Sequence, residues 1–332
     1  MERIKTGVIG LGRMGRHHCR VYATLRESQL LGICDLDPNV ANEYAALYDV
    51  PVYEDVEALL ERVQAVSIAT PTPSHFDLVQ RCLAHGVHVL VEKPLTDTIE
   101  SAERLVQMAD GDGPVVQVGH IERFNPVYME LKKVLEDLHV LAINFRRLSP
   151  YRVSNKDVDV VLDLMVHDLD LTIDLMGREP TAVNAVGLAP FSAGLDHVSA
   201  QLSYTQGPLI TLTASRVTEE KVRCIEVTAQ EAFVQADLLH KTINIHRSAT
   251  GEYSSHNNGG VKYRQESLIE QILVPNAEPL SLEIKHFLDC VAYRRTPRVT
   301  AHDGLRALRL AQHVRDVVQA HNLRLAEQPA LA

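Results

Sequence analysis

No apolar run in this 332-residue chain reaches the roughly 20 residues that a membrane helix needs. That argues against a membrane protein. The opening, Met1-Glu2-Arg3-Ile4-Lys5-Thr6, runs straight into an apolar stretch. It lacks the long apolar core and small-residue cleavage site of a secretion signal. Paired cysteines are also missing: Cys19, Cys34, Cys82, Cys224 and Cys290 are scattered, with no CxxC. The pattern excludes a zinc ribbon and points to reduced thiols and a cytoplasmic location. Basic charge is in short supply, with 33 Lys and Arg against 43 Asp and Glu, a net charge of -10. A duplex-binding protein is usually basic, so nucleic acid is an unsuitable partner. A local basic site for a phosphorylated small molecule is still compatible with that balance. Internal repeats and low-complexity blocks are absent. What remains is 45% hydrophobic and 23% charged, an ordinary globular composition with length for about two domains.

The stretch Val87-His88-Val89-Leu90-Val91-Glu92-Lys93-Pro94-Leu95 reads as a buried strand ending in two charges and a proline. Its β-branched residues suit a strand covered on both faces. Glu92 and Lys93 fall where such a strand emerges at the carboxyl edge of its sheet, the edge where open α/β sheets bind ligands. Pro94 fixes the backbone behind the lysine and permits a cis bond. The competing reading is a solvated strand end.

Upstream, Thr6–His18 spells a short strand, a glycine-rich turn and a helix start. Gly10, Gly12 and Gly15 fit GxGxxG, with Arg13 and Met14 inside the motif. Gly10 would allow the tight turn, Gly12 the approach of a pyrophosphate, and Gly15 close helix packing. Free N–H groups at the helix start would face the anion. A second strand, Leu30–Asp35, ends in an acid 20 residues after Gly15. Asp35 is placed to accept from the adenosine ribose and to repel a 2′-phosphate, which favours NAD over NADP. The competing reading is a turn former before Asp37-Pro38.

Helices at 41–48, 56–62, 76–85 and 98–110 then alternate with strands at 65–69, 87–91 and 115–118. Ser74 is expected to cap the third of these helices. This βαβ alternation predicts a doubly wound parallel sheet over residues 1–120.

From 121 to 325 the pattern changes to a second domain. A helix is expected from Arg123 to Leu138, a strand over 139–148, a loop over 149–158 and a helix over 160–176. Strands at 182–191, 196–204, 209–217, 223–229, 232–238 and 242–247 follow, closely linked and so antiparallel. A loop over 254–260, helices at 282–293 and 304–321, and a frayed tail after Leu325 complete the prediction. A broad sheet with one face toward solvent is a natural dimer surface.

Within the helix over 160–176, Asp163, His167 and Asp170 fall at i, i+4 and i+7, a shared face beside apolar Leu162, Met165, Val166, Leu169 and Ile173. Three readings compete: a structural Asp–His pair, a divalent-metal site, or an acid/base histidine oriented by a carboxylate. A lysine from the first domain would complete the last of these. The dinucleotide fingerprint raises it, because alcohol oxidation with NAD needs a proton acceptor and a donor to the oxygen, and no metal.

The order Gly10xGly12xxGly15, Ala69-Thr70-Pro71-Thr72-Pro73-Ser74-His75, Glu92-Lys93-Pro94 and Asp163xxxHis167 resembles the glucose–fructose oxidoreductase / inositol dehydrogenase / MocA (Gfo/Idh/MocA) family over residues 4–320. The resemblance implies an N-terminal Rossmann domain and a C-terminal α/β domain with a large, mostly antiparallel sheet. It also implies a nicotinamide cofactor and a homodimer or homotetramer. Val118–Pro126, Asp163–Asp168 and Ala214-Ser215-Arg216 are similar to a narrower group, the UDP-N-acetylglucosamine 3-dehydrogenases. For that group the substrate is a UDP-sugar oxidised at its C3 hydroxyl, and the ketone passes to an aminotransferase that serves lipid A biosynthesis. Met165 departs from the family, where many members carry glycine.

Carried over by position, Lys93, Asp163 and His167 form the implied catalytic set. His167 is the base on the hydroxyl, Asp163 its orienting carboxylate, and Lys93 the donor to the oxygen, with the base role exchangeable between lysine and histidine. Glu92 and Lys93 would also touch the nicotinamide ribose, and Thr70, Pro71 and His75 would line the cofactor cleft. Arg123, Asn125, Tyr151 and Arg152 would join Asp163 and His167 at the substrate. Residues 123–156 also hold seven basic side chains, Arg123, Lys132, Lys133, Arg146, Arg147, Arg152 and Lys156. Some of them could meet a diphosphate, while Lys132 and Lys133 read as solvated surface charges. Two alternatives are dehydrogenation of another sugar, a UDP-sugar uronate or inositol, and a non-catalytic NAD-binding regulator.

Overall fold

Val66, Ile68, Val89, Leu90, Val91 and Val118 are each fully buried, so the strands that carry them are covered on both faces. In the computed structural model, which describes residues 2–151, 158–254 and 261–327, they build a parallel sheet. Its strands are β1 (Ile4–Ile9), β2 (Ser28–Cys34), β3 (Ala65–Ile68), β4 (His88–Glu92) and β5 (Val116–Gly119), ordered β2-β1-β3-β4-β5. A parallel bridge between Ile33 and Val52 extends the sheet beyond β2. With that bridge the order reverses beside β1, as in doubly wound dinucleotide-binding sheets.

The helices of this unit are α1 (Arg13–Thr24), α2 (Pro38–Tyr48), α3 (Val56–Leu60), α4 (His75–Ala84) and α5 (Ile99–Ala109). Helix α2 starts three residues before the expected Ala41, because Asp37 caps it and Pro38 occupies its first turn. Ser74 does not cap α4; its hydroxyl donates to the Pro71 carbonyl at 2.8 Å, inside a 3₁₀ turn over Thr72–Ser74.

The chain folds as two compact units. The first contains Met1–Phe124 and also Ala277–Leu310. Helix α8 (Pro279–Tyr293) explains the return, since Leu280, Ile284, Phe287 and Leu288 share one buried cluster with Val8, Leu11, Val21, Tyr22 and Leu90. A division at 120/121 did not foresee it, because an amphipathic helix does not announce which sheet it covers.

The second unit holds Asn125–Asn276 and the chain from Ala311. Helix α6 (Pro126–Glu136) precedes β6 (Val140–Leu148). A π turn over Val161–Met165 runs directly into α7 (Val166–Met176). Then come β7 (Ala182–Leu188), β8 (His197–Ser203), β9 (Leu209–Ser215), β10 (Val222–Ala229), β11 (Phe233–Asp237), β12 (Thr242–Ser254) and β13 (Val261–Ile272). Their order is β13-β12-β11-β10-β6-β9-β8-β7, antiparallel except where β6 meets β9. Ile143, Phe145, Val198, Leu202, Ile210, Leu212, Ile225 and Val227 alternate inward as the buried face.

The sequence reading ended β12 at Arg247 and had no β13. That last strand is rich in charged and amide residues and pairs only with β12, so a core-facing pattern is weak there. The loop expected over 254–260 falls outside the described residues apart from Ser254. Helix α9 (Ala301–Glu327) closes the described chain. Among the described residues no helix is long and apolar enough to cross a membrane.

Candidate active site

At the end of β1, Gly10 takes a φ of 86°, the left-handed region that favours glycine. A Cβ there would lie 2.7 Å from the Thr70 methyl. A Cβ on Gly15 would lie 1.8 Å from the Gly10 carbonyl oxygen, so α1 seats against the turn only because position 15 has no side chain. Gly12, at the N-cap of α1, has open space in front of it within 4 Å. That is the cradle a pyrophosphate needs: exposed backbone, open space and the N–H groups of a twelve-residue helix. Arg13 and Met14 form the first two positions of that helix, with Arg13 exposed.

Asp35 stands just beyond β2, beside the turn. One carboxylate oxygen accepts from Leu11 N–H at 2.5 Å and the other from Asp37 N–H at 2.8 Å. It therefore ties the turn to the strand end while being placed for a ribose. Open backbone at Gly12, the helix terminus and this carboxylate fit a dinucleotide.

The carboxyl ends of β3 and β4 form the neighbouring part. Thr70 Oγ1 and Ser74 Oγ are hydrogen-bonded at 2.7 Å. His75, expected to line a cleft, is instead 1% exposed. Its Nδ1 meets the Pro94 carbonyl and its Nε2 the Thr70 carbonyl, both at 3.0 Å. The ring thus ties the turn after β3 to the turn after β4, where the Lys93–Pro94 bond is cis. Carbonyls only accept, and a neutral ring has one N–H, so it serves one of them at a time.

Glu92 is also buried, and its carboxylate has partners within the first unit. His18 Nε2 lies 3.0 Å from Glu92 Oε1, and His18 Nδ1 lies 2.8 Å from Ser67 Oγ. Tyr22 OH meets the same Ser67 oxygen at 2.8 Å. Burial alone would raise the Glu92 pKa. The His18 hydrogen bond, with the Lys93 charge and backbone beside it, more than offsets burial and holds the carboxyl below its ordinary value. Lys93, next along the chain, is half-buried at the sheet edge.

In the second unit, Asp163 sits in the π turn and His167 in the first turn of α7. Both are half-buried, whereas Asp170 is fully buried. The i, i+4, i+7 count assumed one regular helix; the i→i+5 turn holds Asp163, whereas His167 and Asp170 keep their i, i+3 spacing within α7. Asp159 starts the π turn: its Oδ1 accepts from Val161 and Leu162 N–H at 2.9 and 3.1 Å. Met165 is fully buried.

Asp168, beside His167, was not foreseen as a structural residue. It accepts from Arg147 of β6 in a bidentate pair, Nη2–Oδ1 2.6 Å and Nε–Oδ2 2.9 Å, both residues buried. This pins α7 to the sheet and fixes the helix that presents His167.

Three of the remaining expected substrate contacts have internal partners. Arg123 is 3% exposed, 3.5 Å from Asp303, and donates to the Arg298 carbonyl at 3.4 Å. Asn125 caps α6 by accepting from Val127 N–H at 3.1 Å. Tyr151 donates to the Phe191 carbonyl at 3.3 Å and packs on that ring. Arg152 lies outside the described residues. Of the basic segment, Lys132 pairs with Asp174, Lys133 with Glu130 and Arg147 with Asp168, so those charges are answered within the protein. Among the described residues no cluster of three or more His, Cys, Asp or Glu is arranged to hold a metal.

His18, Ser67 and Tyr22 were not singled out by sequence. A signal existed: Gly15, His18, Cys19 and Tyr22 recur at helical spacing on the buried face of α1, and a histidine there needs a partner.

Comparison with known proteins agrees with this architecture. Residues 4–120 match the oxidoreductase family, NAD-binding Rossmann fold, and residues 134–320 match the same family's C-terminal alpha/beta domain. UDP-N-acetylglucosamine 3-dehydrogenase of Acidithiobacillus ferrooxidans is 35% identical over 320 residues, covering 96% of this chain and 99% of that protein. Its solved structure superposes with a TM-score of 0.86. Inositol 2-dehydrogenase of Rhizobium meliloti is 25% identical over 97% of this chain and 99% of its own length. scyllo-Inositol 2-dehydrogenase (NAD(+)) of Bacillus subtilis is 27% identical over 91% and 90%. A glycine-cradled NAD-binding sheet followed by a broad antiparallel sheet, matched on both sides of residue 124, means that this chain belongs to the Gfo/Idh/MocA oxidoreductase family.

Proposed function

We propose that this NAD-dependent dehydrogenase oxidises the C3 hydroxyl of UDP-N-acetylglucosamine to the 3-keto sugar. The observation that carries the reading is the 35% identity with such an enzyme over 96% of this chain and 99% of that one. The presence of Lys93, Asp163 and His167 supports it. NAD, when bound, supplies the hydride acceptor. His167 takes the hydroxyl proton, and Asp163 holds the imidazole for that transfer. Lys93 donates to the same oxygen and stabilises the charge that develops as the C–H bond breaks. The Gly10–Gly15 turn and Asp35 hold the dinucleotide.

The ketone is the substrate of a transaminating partner, consistent with supply of a 3-amino sugar for lipid A in the cytoplasm. The exposed face of the eight-stranded sheet suits a homodimer or homotetramer. The test is a coupled assay with purified protein, NAD, UDP-N-acetylglucosamine and an aminotransferase that drains the ketone. A rise in NADH absorbance is expected, and no rise above the no-sugar control would reject the substrate.

A second reading, a dehydrogenase of free inositols, is favoured by one observation. Arg123 and Arg147 are buried and face Asp303 and Asp168, which removes two of the basic groups that a diphosphate could use. Competing the two substrates at equal concentration decides between them.

A further inference from the structure

The Glu92 carboxylate has been built around from four directions. Helix α1 brings His18 Nε2 to 3.0 Å from Oε1. Strand β3 brings Ser67, which holds the other ring nitrogen at 2.8 Å. Strand β5 pairs Glu92 with Gly119, where a Cβ would lie 3.2 Å from Oε2 and 3.1 Å from the Glu92 Cα. Lys93 follows it directly at the end of β4. His18, Ser67, Tyr22 and Glu92 are all buried.

The donors and acceptors allow one complete assignment with a neutral ring. Burial pushes the Tyr22 phenol up, so it keeps its proton and donates to Ser67. Ser67 then donates to His18 Nδ1, and His18 Nε2–H donates to Glu92. The chain of bonds runs one way, from a phenol at the back of the sheet to the residue before Lys93.

We propose that His18 is a positioning residue for the dehydrogenase reaction, acting through Glu92 to fix the ammonium of Lys93. This rests on the reading of Lys93 as the donor to the reacting oxygen. An ionised Glu92 attracts the charge of the adjacent Lys93. Without the imidazole, the same carboxylate sits in a pocket that favours its neutral form. Neutral Glu92 loses the attraction to Lys93, and the lysine loses its fixed base. The titratable groups bearing on the carboxylate are His18 from α1 and Lys93 beside it, while β3 presents uncharged Ser67 and β5 a glycine.

The test compares wild type, His18→Leu, His18→Gln and Glu92→Gln. Glutamine keeps a donor near the Nε2 position, and leucine removes it. Carbon-13 NMR of glutamate-labelled protein, with Glu92→Gln to assign the signal, reads the Glu92 titration without substrate. Kinetics per folded molecule read kcat against pH, and fluorescence reads NAD binding. His18→Leu is expected to raise the Glu92 midpoint and to shift the acid limb of kcat upward by the same amount. It should lower kcat roughly tenfold or more with NAD affinity little changed. His18→Gln should restore most of this, and in the Glu92→Gln background the His18→Leu shift should vanish. An unmoved Glu92 midpoint, or a midpoint that moves while the acid limb and kcat stay put, overturns the proposal. If wild type is inactive on UDP-N-acetylglucosamine but active on an inositol, the substrate reading fails, and the His18 comparison is made on that inositol.

Discussion

Lys93 and Gly15 carry opposite kinds of dependence. In the proposed reaction Lys93, half-buried at a strand end, acts through its charge, so Lys93→Ala should leave NAD affinity near normal. It should cut kcat by about 10² or more, measured by fluorescence titration beside steady-state kinetics. Gly15 acts through having no side chain, and Gly15→Ala drives a methyl to 1.8 Å from a carbonyl oxygen. That variant should lose NAD binding and about 3 kcal/mol of stability in urea unfolding. Glu92 adds a pH signature. Its carboxyl is held below the ordinary 4.5, so its contribution to stability is complete above that value and is lost as pH falls through the native pKa. Wild type should therefore lose more stability than Glu92→Gln between neutral pH and the acid side of 4.5. The glycines and Asp35 could be read from sequence because their spacing is local. The partners of Glu92 could not, since His18 and Ser67 meet it only after α1 and β3 have packed.

At the scale of elements, period and caps predicted most helices and strands, and the departures have physical causes. Polar β13 lacks a core-facing alternation, and the π turn at Val161–Met165 cannot be told from an ordinary helical turn by hydrophobic spacing. The Arg147–Asp168 pair holds this irregular helix to β6. Replacing Arg147 alone with Met strands a buried carboxylate and should cost about 3–5 kcal/mol by urea unfolding. The double variant Arg147→Met with Asp168→Leu should recover much of that loss while turnover stays depressed, because the stability and the aim of His167 separate. A double variant no more stable than the single would show that the pair is not the source of the cost.

For the whole molecule, order along the chain and order in space disagree. Alternation of βαβ units made the first sheet legible, but the helix that seals one of its faces arrives after residue 277. A fragment ending at Phe124 lacks Leu280, Ile284 and Phe287 from its core. It should show no cooperative thermal transition by circular dichroism, and adding a peptide spanning 277–310 should restore one.

The late arrival of α8 also bears on synthesis. A ribosome that has translated 276 residues has produced every described strand of both sheets, yet not the helix on which the first core closes. The nucleotide-binding half is thus the first to be started, yet it waits for a helix made after every described strand of the second unit. Nascent chains stalled before residue 277 should therefore be cut by protease within the first hundred residues. Those released after α8 has left the exit tunnel should resist it.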